Sequence, residues 1–209
     1  MNERVLSTRA DALLVRGLRL EYVTLGWNVI GSGLVLAAAV VARSVALAGF
    51  GLDSLVEIVA SLVVVWQLKG SDGRRDRTAL RIIGVAFILL AVYIAVQSLV
   101  VLLSGFHPHN SPLGIGWLTA TAIVMFALAY GKRRTGRELG NRVLETESRV
   151  TVIDGYLALA VLVGLLLNAA LGWWWADPLS ALVIVVYGLK EGWAALHHDP
   201  EPSTRPGQG

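Results

Sequence analysis

The stretch Ser44–Gln67, SVALAGFGLDSLVEIVASLVVVWQ, decides what kind of chain this is. It is long enough to cross a bilayer as a helix, for which about 20 apolar residues suffice. Yet it carries Asp53 and Glu57, four residues apart, and no Lys, Arg or His to neutralise them. Its surroundings repeat the apolar theme. Hydrophobic residues make up 55% of the chain, charged residues 16%, and the mean hydropathy is +0.63. A soluble domain carries roughly 25% charged residues, so a soluble globular class is excluded. Six apolar runs predict six spans, at 20–42, 44–67, 80–104, 112–131, 149–171 and 173–196. In the sixth, Trp173, Trp174 and Trp175 at one end and Trp193 at the other read as interface anchors that extend a short uncharged stretch. The expected architecture is an all-α membrane protein, a six-transmembrane-helix bundle.

The basic residues orient this layout. Of 18 Lys and Arg, all but Arg43 fall before the first span, around the second and fourth connections, near the end of the sixth span or after it. Cytoplasmic loops carry the excess of Lys and Arg, which places both termini in the cytoplasm and requires an even number of spans. Residues 1–19 then form a cytoplasmic N-terminal segment, 20–196 the transmembrane domain, and 197–209 a disordered cytoplasmic tail. Topology accounts for the net charge of +3, with no nucleic-acid partner. With no cysteine, disulfides and thiolate metal sites are excluded. The charged N-terminus does not read as a cleaved signal peptide. Fifteen Arg against three Lys suit a GC-rich bacterial genome, hence a multi-pass protein of the inner (plasma) membrane.

A carboxylate within a span costs about 2.5–3.5 kcal/mol near a helix centre, so function is the first reading of Asp53 and Glu57. Spacing i, i+4 sets them on one helix face, about 5–6 Å apart between Cβ atoms. Two like charges so close disfavour joint ionisation, whereas a divalent cation neutralises both and couples its binding to proton release. The fifth span, in ETESRVTVIDGYLA, sets Glu147, Thr151 and Asp154 at i, i+4 and i+7 on one face. At about 1.5 Å per residue, Glu57 and Asp154 lie roughly 20 and 25 Å in from the outer ends of their spans, depths at which adjoining helices bring them together. Glu147 falls about 10 Å nearer the cytoplasm, as an exit residue or an ordinary solvated charge. Glu21 and Glu191 read as interfacial charges, Asn28 as an interhelical hydrogen bonder or a ligand, and His107 and His109 as an outer loop. The glycines of GFG read as close-packing positions.

The second span is similar to the second transmembrane helix of the cation diffusion facilitator family. In that family a pair of polar residues four apart faces a second pair in the fifth helix. Asp53 and Glu57 stand at the first pair, and Asp154 at the family's Asp in the fifth helix. WWWADPLSAL, entering the sixth span, is also family-like. Val150 departs from the pattern, standing where the family often has His or Asp; the fourth ligand stays open among Thr151, water, Glu147 and Asn28. No His-rich loop joins the fourth and fifth spans, and the sequence reads as a short branch lacking the C-terminal cytoplasmic domain, which leaves a homodimer open.

The resemblance implies a secondary transporter exchanging a divalent cation for protons across the bilayer, with Asp53, Glu57 and Asp154 as ligands. Zinc is the first expectation; a set of carboxylates also suits manganese, cobalt, cadmium, iron or magnesium. No cofactor is expected beyond the transported ion. Two rival classes were weighed. GFGLD resembles the Gly-x-Gly-Asp of intramembrane aspartyl proteases, but its spacing is one residue too long, so the chain is read as a non-enzyme. A membrane scaffold or sensor that transports nothing is the other.

Overall fold

The computed structural model describes residues 2–68, 73–139 and 142–197, with side-chain detail at 12–13, 15–59, 81–82, 84–138 and 148–197. Six helices follow one another: α1 (Asn2–Ala42), α2 (Val45–Leu68), α3 (Gly73–Ser104), α4 (Pro112–Leu139), α5 (Arg142–Leu171) and α6 (Ala176–His197), with no strand among the described residues. Among the described residues, five stretches are long and apolar enough to cross a membrane: Val15–Ala42, Gly84–Ser104, Pro112–Glu138, Ser148–Leu171 and Ala176–His197. With α2 they form an all-α membrane bundle. Its exterior is apolar, with Val40, Leu103, Ile123 and Val186 among its most exposed side chains, as lipid requires.

Three expected boundaries move. The helix of the first span reaches back to Asn2, so part of the segment expected to precede the bundle is helical. Similarly, α4 runs past Gly131 to Leu139. Hydropathy marks only where a helix meets lipid, and no proline interrupts either extension. Conversely, Trp173, Trp174 and Trp175 precede the last helix rather than extend it. Gly172, at φ +67°, ends α5 by donating its N–H to the Asn168 carbonyl at 3.0 Å, a left-handed cap that glycine adopts without strain. The Trp173 and Trp175 rings stack on each other, and Trp174 stacks on His107. The expected tail beyond His197 lies outside the described residues.

The junction between α1 and α2 is tighter. Arg43, at φ +50°, takes the left-handed position, and the Ser44 and Arg43 N–H groups return to the carbonyls of Ala39 and Val40 in a Schellman arrangement. The Arg43 guanidinium sits 5.7 Å from the Phe106 ring centre, a cation–π contact that holds it against the α3–α4 loop. Ser44 then caps α2 through its hydroxyl, which accepts the Leu47 N–H at 3.1 Å. A second cap comes from α6. Asp177, fully buried, accepts the Ser44 hydroxyl on one oxygen and the N–H groups of Val45 (3.0 Å) and Ala46 (3.3 Å) on the other. The first-turn donors of α2, which no helix can satisfy internally, are thus met by a carboxylate at its positive end.

Packing divides the bundle. α1, α2, α5 and α4 close a ring in that order, and α3 pairs with α6 along the side of α2 and α5. Gly84 and Gly192 set the α3–α6 crossing: a Cβ on either would stand 3.0 or 2.9 Å from the other's carbonyl oxygen. Between α1 and α4, Trp27 stacks on Trp117 at 4.7 Å and donates its indole N–H to the Thr121 hydroxyl. His109 and Gly136 lie beyond or near opposite ends of α4. Reporter fusions at Gly136 and at Gly209 are expected to report cytoplasm, and one at His109 the outside. The same side for His109 and Gly136 would contradict a membrane-spanning α4.

Candidate metal centre

The site starts from α2. Gly49 lies against Ile94 of α3 and Ile184 of α6, and Gly51 against Leu36 of α1; a Cβ at Gly51 would come within 2.8 Å of Leu36 side-chain atoms. These bare positions let α2 sink between its neighbours, which carries the next turn, with Asp53 and Glu57, into the ring. Asp53 is 2% exposed, Glu57 half-buried, and Asp154 of α5 is 6% exposed. Each contributes one oxygen to a cluster in which all three oxygens lie within 4.8 Å of one another. An equilateral triangle of 4.8 Å sides has its centre about 2.8 Å from each corner, so a slight contraction reaches the 2.0–2.6 Å of metal–oxygen bonds. Asp53 Oδ1 is buried with no hydrogen-bond partner among the described residues. A buried carboxylate oxygen without a donor is costly, and a cation is the partner that suits it.

The remaining candidates fall into place around this trio. Asn28 donates from Nδ2 to Glu57 Oε2 at 3.3 Å, tying α1 to α2 and orienting the Glu57 carboxylate. Thr151, 2% exposed, sits one turn before Asp154 on the buried side of α5. Val150 is half-buried, and the side chain of Glu147 lies outside the described residues. His107 and His109 are exposed in the loop between α3 and α4 and take no part in the cluster, His107 being stacked on Trp174.

One residue departs from the sequence reading. Lys132 is completely buried, and its ammonium binds Glu21 Oε2 at 2.9 Å across the α1–α4 interface. Glu21, its side chain 38% exposed, is compatible with the interfacial charge expected of it, whereas Lys132 was expected at the surface beyond a fourth span ending at Gly131. One signal was available: where Arg is the usual cation, with Arg133, Arg134 and Arg137 all exposed, a lysine amid them marks a different environment. Tyr187 of α6 is also within electrostatic reach of Asp53, Glu57 and Asp154.

Buried polar side chains lie on both sides of the trio. Toward the α1–α2 junction the core includes Phe50, Leu157, Ala158, Val161, Leu162 and Ile184, with Ser44, Ser111, Asn168 and Asp177 buried there as well. Toward the basic end Ser148, Thr151, Thr24, Lys132 and Thr135 are buried.

Comparison with known proteins bears on the bundle as a whole. Residues 22–197 match the cation efflux transmembrane domain. The chain is 25% identical over 176 residues to an uncharacterised transporter of Synechocystis, covering 79% of this chain and 56% of that protein. It is 24% identical over 200 residues to transmembrane protein 163 of Xenopus laevis, covering 88% of this chain and 70% of that protein. The chain thus spans little more than half the length of the Synechocystis transporter.

Proposed function

The chain belongs to the cation efflux family, a family of multi-pass metal-cation transporters rather than enzymes, and on that premise we propose that it exchanges a divalent cation for protons. The observation that carries the proposal is the oxygen trio of Asp53, Glu57 and Asp154, gathered within 4.8 Å inside a membrane bundle with both aspartates buried and Glu57 half-buried. Three carboxylates hold a charge of −3, so a divalent ion leaves −1 and a monovalent ion −2; the larger ion charge is favoured in so dry a place. Zinc is the substrate we assign first. The all-oxygen donor set also accommodates manganese and other harder ions, because no imidazole or thiolate enforces a tetrahedral soft site.

We assign loading to the cytoplasmic side of a plasma membrane: the acids are ionised where the pH is neutral, and protons arriving from an acidic outside displace the ion. Exchange of protons for metal at shared carboxylates makes the cycle an antiport, and movement of the α3–α6 pair against the ring would expose the site alternately. The scaffold reading explains the membrane fold but gives no reason for a carboxylate oxygen buried without a donor.

Proteoliposomes test the proposal. Purified protein, loaded inside with a metal-sensing or a pH-sensing dye, is expected to carry zinc across the membrane while protons move the opposite way. Manganese, cobalt, cadmium, iron and magnesium complete the panel. Metal flux without proton movement would replace the antiporter by a uniporter, and no flux of any of these ions would defeat the transport reading.

A further inference from the structure

Lys132 is the one completely buried basic residue among those described. A lysine in that position is rare unless paired, and its partner is Glu21. The pair is not saturated. An ammonium has three donors, while Glu21 Oε1 and Thr135 Oγ1, one turn further along α4, are both buried without hydrogen-bond partners among the described residues. An arginine's planar fork would engage such acceptors rigidly, whereas lysine is a compact charge on a flexible four-carbon stem.

The pair is also wired to the metal centre. Glu21 and Asn28 are seven residues apart, two turns along one face of α1. Glu21 holds Lys132, and Asn28 holds Glu57. α4 packs extensively on α5, and a Cβ at Gly155, next to Asp154, would meet the Phe126 ring at 3.0 Å, so Lys132 stands about six residues, or about 9 Å, along α4 from the level of Asp154. Helical side chains tilt toward the N-terminus of their helix, which for Lys132 is toward that level. Lys132 thus has Glu21 as its bonded partner and the trio along the direction of its stem.

We propose that Lys132 is a tethered internal cation that competes with the transported ion for the trio, with Glu21 as the anchor that holds it back. This rests on the transport reading. A site of three carboxylates binds a divalent ion strongly, and turnover requires that the ion also leave. Leaning on Glu21, Lys132 leaves the trio free for the ion. Leaning toward Asp154, it repels the ion and replaces part of its charge, which favours release. Lys132 and Glu21 are thus positioning residues, acting on the ion through the trio.

The two ends of the pair should behave oppositely when removed. Zinc titrations on the purified full chain are expected to show Lys132→Met binding about tenfold tighter than the parent, because a like charge near the site has gone. Glu21→Gln, which frees Lys132 to lean on the trio, is expected to bind about tenfold more weakly by the same interaction. The double variant, carrying neither charge, should resemble Lys132→Met. In proteoliposomes Lys132→Met should also turn over zinc more slowly, since its release step is hindered. A pair that merely braces α1 against α4 predicts that both single variants shift the same way, and that result, or no shift in either, overturns the proposal. Thermal unfolding of each variant controls for loss of fold. If Lys132→Met alone does not fold, a double variant no tighter than Glu21→Gln is the overturning result. A parent chain that binds no metal of the panel instead defeats the transport reading beneath it.

Discussion

Asp154→Ala is expected to abolish zinc flux and to weaken zinc binding by at least about a hundredfold, some 2.7 kcal/mol. The substitution removes one of three oxygens lying within 4.8 Å of one another, and with it a third of the charge that holds the ion. No described side chain is placed to substitute, since Thr151 offers a neutral hydroxyl one turn away on the same helix. Asp53→Ala and Glu57→Ala should match it. Asn28→Ala should be milder, about tenfold in affinity, because Asn28 orients Glu57 and leaves the oxygens in place. Each variant should keep the parent's thermal unfolding, because an acid cluster taken apart relieves repulsion. Transport at the parent's rate in Asp154→Ala would remove α5 from the site altogether.

Asp177→Ala is expected to act on stability rather than on the ion. Three donors in the first turn of α2 lose their acceptor inside a fully buried junction, and each buried donor left unpaired costs about 1–3 kcal/mol. Partial repair by the Ser44 hydroxyl leaves an expected loss of about 2–4 kcal/mol, read as a lowered unfolding temperature of the detergent-solubilised protein. Asp177→Asn keeps the shape and one strong acceptor, so it should lie between the two. Unfolding of Asp177→Ala at the parent's temperature would mean that the junction is held by its apolar packing and not by this carboxylate.

What could be read from the sequence differs from residue to residue for physical reasons. Asp53 and Glu57 announce themselves because a membrane tolerates few acids, and a four-residue spacing sets both on one helix face. Asp154 could be matched to them by depth, since 1.5 Å per residue is a dependable ruler along a straight helix. The close approach at Gly49 and Gly51 was visible as small residues, though not which neighbours they admit. The burial of Lys132 was missed because hydropathy reports a residue's own preference and not the depth to which its helix carries it. The turn at Trp173–Trp175 was missed for the opposite reason: tryptophans read as apolar span, and only the left-handed Gly172 cap shows that α5 has ended.

Asp177 also orders the making of the molecule. It lies 133 residues downstream of the serine it holds, in the sixth helix. The two-residue junction at Arg43 and Ser44 lets α1 and α2 enter the bilayer as a hairpin, with Asn28 already beside Glu57 to shelter one acid. The tip of that hairpin nevertheless waits, its first amides incomplete, until synthesis has passed Asp177. The junction is therefore closed only once α6 has been made, and a chain that stalls before it carries an α2 whose first turn is unfinished.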